Sequence, residues 1–194
     1  MITAKGEATR HRIVLGAAEQ IREFGVDVTL DDVRARTGTS KGQLFHYFPD
    51  GKDELLIAVA EHEAARVLED QQPHLGRLDD WASWAEWREA VVRRYRAQGT
   101  GCPLAVLMNS VGRSDRTRRI TTALIEDWRA ALTAGIRSMK ASGRVAASVD
   151  AEESGRALVA AIQGGVAILL ATGRIDYLES ALDRTLAGLG APTP

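Results

Sequence analysis

The chain has 194 residues, 45% hydrophobic and 26% charged, with a formal net charge of −1, so it is neither a disordered tail nor basic along its whole length. One cysteine, Cys102, excludes an intramolecular disulfide and fits a reducing compartment. The amino-terminal MITAKGEATRHR has no apolar signal core, and the most apolar run, 157–172, is sixteen residues where a membrane span needs roughly 20; the expectation is a cytoplasmic protein with no membrane partner.

Proline is sparse, at Pro49, Pro73, Pro103, Pro192 and Pro194. Between these breaks apolar residues recur at three- and four-residue steps, with no strand-like alternation and no internal repeat. The expected fold class is all-α, with about nine helices. The first helix covers 7–24, with Ile13, Val14, Ala17, Ala18, Ile21 and Phe24 as its apolar stripe and Gly25 as its stop. Thr29 caps a short second helix, with Asp32 at its third position, and Gly38 ends it. Ser40 and Gln43 form a Ser-x-x-Gln capping box that opens a third helix, which reaches about Tyr47 and is broken by Pro49. A fourth helix runs from about 52 to 70, with Leu55, Leu56 and Val59 inward, and 71–80 reads as a polar, proline-containing linker. Later helices are expected at about 81–98, 103–112, 115–141, 151–172 and 175–189.

Two short helices joined by a tight glycine turn make a helix-turn-helix. In such a motif the second helix enters the DNA major groove with its N-terminal residues toward the base edges. The second helix here offers Lys41, Gln43, His46 and Tyr47, and Gly42 leaves room for close backbone approach. Lysine pairs with phosphate or guanine, and glutamine makes a bidentate contact to adenine. Gln43 has a competing role, because the capping box with Ser40 uses the same carboxamide. His46 is read either as a DNA contact or as a solvated histidine, and Arg34 and Arg36 as a solvated face. Residues 1–52 carry eight basic against seven acidic residues and the remainder 17 against 19, so the placement of charges matters more than their sum.

The stretch RIVLGAAEQIREFGVDVTLDDVRARTGTSKGQLFHYFPDGKDELLIAV resembles the DNA-binding domain of the TetR family. The matching features are Ala17-Ala18, Phe24-Gly25, Thr29, Asp32-Val33, Gly38 to Gly42, Leu44, Tyr47-Phe48-Pro49 and Lys52 to Leu56. The resemblance implies a homodimer of all-helical subunits, a palindromic double-stranded DNA operator that is usually repressed, and a small-molecule inducer bound in the C-terminal half. By position it puts DNA contacts on Thr29, Thr39, Ser40, Lys41, Gly42, Gln43, Phe45, His46, Tyr47 and Lys52. Two departures stand out. Phe45 occupies a position where the family commonly has tyrosine, so a hydroxyl contact to phosphate is missing. Gly51 is an extra residue before Lys52, which loosens the carry-over of Lys52. From Gly101-Cys102-Pro103-Leu104 onward the chain is more loosely similar to the branch of multidrug-efflux repressors.

In the C-terminal half, Trp81, Trp84, Trp87, Val91 and Tyr95 share one side of a helix, and Ile120, Leu124, Trp128, Leu132, Ile136 and Met139 share a side of another. Such stripes read either as core or as the wall of an apolar ligand pocket. Trp84, Trp87, Met108, Asn109, Trp128 and Gln163 are the candidate pocket residues, the two amides because a buried amide needs a partner and a ligand supplies one. The run ALVAAIQGGVAILLAT is apolar nearly all round and must be covered on several sides; Gly164 and Gly165 point to a close helix approach, and a four-helix dimer interface with the following helix is expected.

The organisation expected is a helix-turn-helix domain over 1–52 and a helical ligand-binding and dimerisation domain over 53–194. No cofactor is called for. His11, His46, His62 and His74 have no metal-ligand spacing, and neither a nucleotide-binding glycine loop nor a nucleophile elbow is present, so no catalytic residue is assigned and the chain is not read as an enzyme. Two other readings stand beside the repressor: a helical small-molecule binder or scaffold that has lost operator recognition, and a DNA-binding activator.

Overall fold

The computed structural model describes residues 4–104, 107 and 115–191. The described residues form eight α-helices and no strand: α1 Ala4–Phe24, α2 Leu30–Thr37, α3 Lys41–Tyr47, α4 Lys52–Glu69, α5 Trp81–Gln98, α6 Asp115–Ala141, α7 Ala151–Thr172 and α8 Asp176–Gly188. The helix expected at 103–112 falls largely outside the described residues, as do the candidate pocket residues Met108 and Asn109. The other expected helices are present, with ends that differ by three residues or fewer.

Contacts divide the chain into two units, one within Met1–Arg66 and Gly101–Thr121 and the other within Val67–Thr100 and Thr122–Pro194. In the first, Ile13, Val14, Ala17, Ala18 and Ile21 of α1 are buried with Val33, Leu44, Phe48, Leu55, Leu56 and Val59. The apolar stripe of α1 therefore stops one step earlier than its periodicity suggests. Phe24, expected inside, is 57% exposed. It is the last residue of α1, and Gly25 at φ 70 turns the chain away before anything covers the ring.

The second unit is built on α5 to α8. Its core holds Trp84, Trp87 and Val91 of α5, Trp128, Leu132, Ile136 and Met139 of α6, Leu158, Ile162 and Leu169 of α7, and Leu178 and Leu182 of α8. Helices α7 and α8 approach closely because Gly165 has no side chain: a Cβ there would sit 2.5 Å from the Leu178 Cα. Arg88 of α5 ties α8 down with a two-pronged contact to Asp183, Nε to Oδ1 at 2.9 Å and Nη2 to Oδ2 at 3.0 Å. At 22 residues, with a window of mean hydropathy 1.5, α7 is by length and composition long and apolar enough to cross a membrane, a test that a core helix passes as well. One side of it packs instead into this core.

The segment 71–80 is more than a polar linker. Leu75, in a short 3-10 turn over His74–Gly76, is buried, and so are Leu78 and Gln71. The Gln71 carboxamide oxygen accepts both the Trp87 Nε1–H at 2.7 Å and the Trp128 Nε1–H at 3.1 Å, while its amide donates to the Val67 carbonyl at 2.7 Å. Two buried indoles thus find their acceptor in one side chain.

Candidate nucleic-acid interface

Short-range hydrogen bonds shape the helix-turn-helix. Helices of seven and eight residues form few internal bonds, so satisfaction of their end groups weighs heavily. At the start of α2 the Asp32 backbone N–H donates to the Thr29 hydroxyl at 3.2 Å, and the Thr29 backbone N–H donates to Asp32 Oδ2 at 2.8 Å. The Thr29 hydroxyl donates to that carboxylate as well, at 2.6 Å, and this bond, followed by the one from the Thr29 amide, holds the Asp32 pKa below its ordinary value. Gly38, at φ 64, ends α2 with its N–H on the Arg34 carbonyl. The second capping box follows at once: the Gln43 N–H donates to Ser40 Oγ at 3.2 Å, and the Ser40 N–H donates to Gln43 Oε1 at 3.1 Å.

The inner side of α3 is pinned by Leu44 and by the following Phe48, both 0% exposed. The Arg10 guanidinium of α1 lies over the Phe48 ring, 5.2 Å from its centroid. The sequence reading gave Arg10 no part in the site, because nothing local ties it to a residue so far along the chain.

What remains of α3 faces outward. Lys41, Gly42, Gln43, Phe45 and His46 are exposed, and Tyr47 is half-buried, with the His46 ring edge-on to it at 4.9 Å. Ser40 and Thr29 are exposed at the helix starts, and Lys52 is half-buried at the first residue of α4. Thr39 differs from the rest. It is 4% exposed, and its hydroxyl lies 2.8 Å from that of Thr37, so its side chain holds the turn from within. Gln43 keeps its amide nitrogen and one oxygen lone pair for a partner, since the capping box uses the other. Gly51 stands at φ 74 and is buried, its N–H on the Phe48 carbonyl at 3.0 Å, so the extra residue before α4 is a tight left-handed turn. Arg36 is exposed and reaches Glu19 at 2.7 Å, in keeping with a solvated face, whereas Arg34, paired with Asp31, is half-buried.

This arrangement presents one short helix as a rod with a polar, partly basic outer surface and an apolar inner one. Residues 13–59 match the bacterial regulatory proteins of the tetR family, and residues 78–185 match the tetracyclin repressor-like C-terminal domain. The chain belongs to the TetR family. An HTH-type transcriptional regulator of Mycobacterium tuberculosis, strain H37Rv, is 29% identical over 120 residues, which cover 58% of either chain. The match thus spans little more than half the length of that relative. Among solved structures, a TetR transcription regulator from Haloarcula marismortui superposes with a TM-score of 0.83 at 19% identity, over 97% of this chain and all of the other. SmeT, the repressor of the Stenotrophomonas maltophilia multidrug efflux pump SmeDEF, gives a TM-score of 0.69 at 22% identity, over 94% and 91%. The two structural likenesses extend the TetR fold over 97% and 94% of the chain.

In the C-terminal unit of this TetR chain, Trp84 is 1% exposed and Trp87 and Trp128 are 0% exposed. Trp84 and Trp87 meet edge to face at 5.5 Å, and two of the three indoles donate to Gln71, so all three are integral to the core. Gln163 of α7 is half-buried. A cleft of about 450 Å³ lies between the turn at 75–79 and residues Ala131 to Ser138 of α6, and none of the candidate pocket residues lines it. Gln71 was missed because the indoles it serves are 16 and 57 residues away in sequence.

Proposed function

We propose that this chain is a DNA-binding transcriptional regulator, a repressor that binds a palindromic operator as a homodimer in the cytoplasm and leaves it when a small apolar ligand binds. The observation that carries the reading is α3: its inner residues are wholly buried, while Lys41, Gly42, Gln43, Phe45 and His46 are all exposed. A surface of that kind offers a groove-sized rod to a duplex. Residues 1–52 read DNA in this scheme and 53–194 sense the ligand and dimerise. Thr29, Ser40 and Lys52 are assigned to the phosphate backbone and Lys41, Gln43 and His46 to base edges.

Two copies must hold their recognition helices about 34–36 Å apart to engage successive major grooves. A ligand releases the operator if it favours an arrangement with another spacing, and a coupling of about 1–3 kcal/mol suffices. SmeT, 20% identical to this chain, has been solved as a complex with triclosan, so the same fold holds a small molecule there. Gln163, Trp84, Trp87 and Trp128 of the second unit are assigned to ligand sensing in this scheme, and so, by sequence alone, are Met108 and Asn109, which lie outside the described residues.

Fluorescence anisotropy on the duplex upstream of the protein's own gene tests the function. The expected result is binding whose logarithm falls linearly with the logarithm of salt concentration. Failure to retain any duplex at about 50 mM salt would remove the regulator reading and leave a helical small-molecule binder.

A further inference from the structure

Two features set this helix-turn-helix apart, Phe45 in place of a tyrosine and the extra residue Gly51, and in the folded chain they are neighbours. A Cβ placed on Gly51 would lie 3.8 Å from the Phe45 Cε1 and 4.0 Å from the Leu30 Cδ1. The left-handed turn at Gly51 therefore lies beside one edge of the Phe45 ring. Phe45 is 40% exposed, on the flank of α3 one turn beyond Lys41. Its position among the outward residues of α3 is what gives this apolar surface to an incoming duplex, since apolar area covered on binding is favourable. The ring has no hydroxyl, so it cannot donate to a phosphate oxygen. The major groove offers one apolar group on its base edges, the 5-methyl of thymine.

Given the operator-binding reading above, we infer that Phe45 reads a thymine in each operator half-site through its 5-methyl group, and that the Gly51 turn fixes the ring for that contact. Phe45 is then a specificity residue, and the missing hydroxyl is a change of what is read.

The test starts from a random duplex library selected with the full-length protein. Each thymine of the selected duplex is then replaced singly by deoxyuridine, which removes the methyl and leaves the Watson–Crick edge intact. One symmetry-related pair of thymines should stand out. The loss expected is about fourfold for one half-site and about fifteenfold for both, from the burial of a single methyl-sized group. Phe45→Ala should abolish that sensitivity and Phe45→Leu should keep part of it. Gly51→Ala, strained at its positive φ, should shrink the deoxyuridine penalty without changing the salt dependence. Deoxyuridine tolerated at every position, or an equal penalty in Phe45→Ala, overturns the inference while operator binding stands. A library that yields no bound duplex overturns operator binding itself, and this inference with it.

Discussion

Gly42 has no internal reason to be glycine. It lies in the first turn of α3, its φ is not positive, and nothing is within 4 Å of where a Cβ would project. A glycine in a helix costs up to about 1 kcal/mol relative to alanine, so the free protein carries a penalty with no return inside the chain. The return is expected from outside, where the bare backbone lets a duplex approach. Gly42→Ala should therefore raise stability by up to about 1 kcal/mol in urea unfolding and weaken duplex binding by about tenfold or more. A variant that gains stability and binds DNA as well as wild type would show that no groove wall comes close here. Gln71 presents the opposite case, a residue whose whole role is internal. Gln71→Leu leaves the Trp87 and Trp128 indole N–H groups buried without an acceptor. Each orphaned donor costs about 1–3 kcal/mol, so the unfolding free energy should fall by roughly 2–6 kcal/mol, with a shift in tryptophan emission. The contrast explains what the sequence could tell. Thr29 with Asp32 and Ser40 with Gln43 act across three residues, and spacing alone revealed both. Thr39 looked like another polar turn residue, and its burial depends on how Thr37 and the end of α2 fold over it. Gln71 was hidden by its polar neighbours, and only its distant tryptophans give it meaning.

Helix ends repeat one device. Asp32 receives the Thr29 hydroxyl and amide; Asp80, the N-cap of α5, receives the Ser83 hydroxyl and then its amide; Asp150, the N-cap of α7, receives the Glu153 and Glu152 amides. Each set of donors favours the charged carboxylate and holds its pKa below the ordinary 3.8. The sign follows from linkage. A folded-state pKa below the unfolded value contributes stability that is complete above the unfolded value and is lost as pH falls through the folded one. All three caps should thus weaken only below about pH 3.8. Carboxyl NMR titration of the native protein checks this: midpoints below 3.8 are expected for all three, and a midpoint at or above 3.8 would mean that cap is not formed in solution. Helix extents were legible for the same local reason, since caps and glycine stops mark the ends of α2, α3, α5 and α7 within a few residues. The grouping of elements was not. The described residues between 101 and 121 count with the helix-turn-helix unit, and that depends on contacts between stretches far apart in the chain. The two adjacent glycines of α7 also looked alike in sequence. Gly165 lies against α8, whereas Gly164, turned through about 100°, meets nothing within 4 Å.

That unoccupied side of α7 bears on assembly. Ala157, Ala160, Gly164, Ala167, Ile168 and Ala171 are all exposed there, Ile168 at 37%, on the most hydropathic helix of the chain. A stable two-copy interface buries about 1,200–2,000 Å² in all, and its centre is depleted of charge. This face has that character, since its exposed residues from Ala157 to Ala171 carry no charge. A two-fold axis through it would place two copies of Gly164 close together, where the absence of side chains permits the approach. Gly164→Arg tests this cleanly, because the space around Gly164 within one chain is open and the substitution need not disturb the fold. Sedimentation equilibrium should show wild type as a dimer at micromolar concentration and Gly164→Arg as a monomer, with helicity by circular dichroism retained. Operator affinity should fall together with the dimer, since a single recognition helix engages only one half-site. Gly164→Ala, which adds one methyl group, should have a far smaller effect on both. A Gly164→Arg protein that remains dimeric and still binds the operator would move the two-fold axis to another face of the molecule.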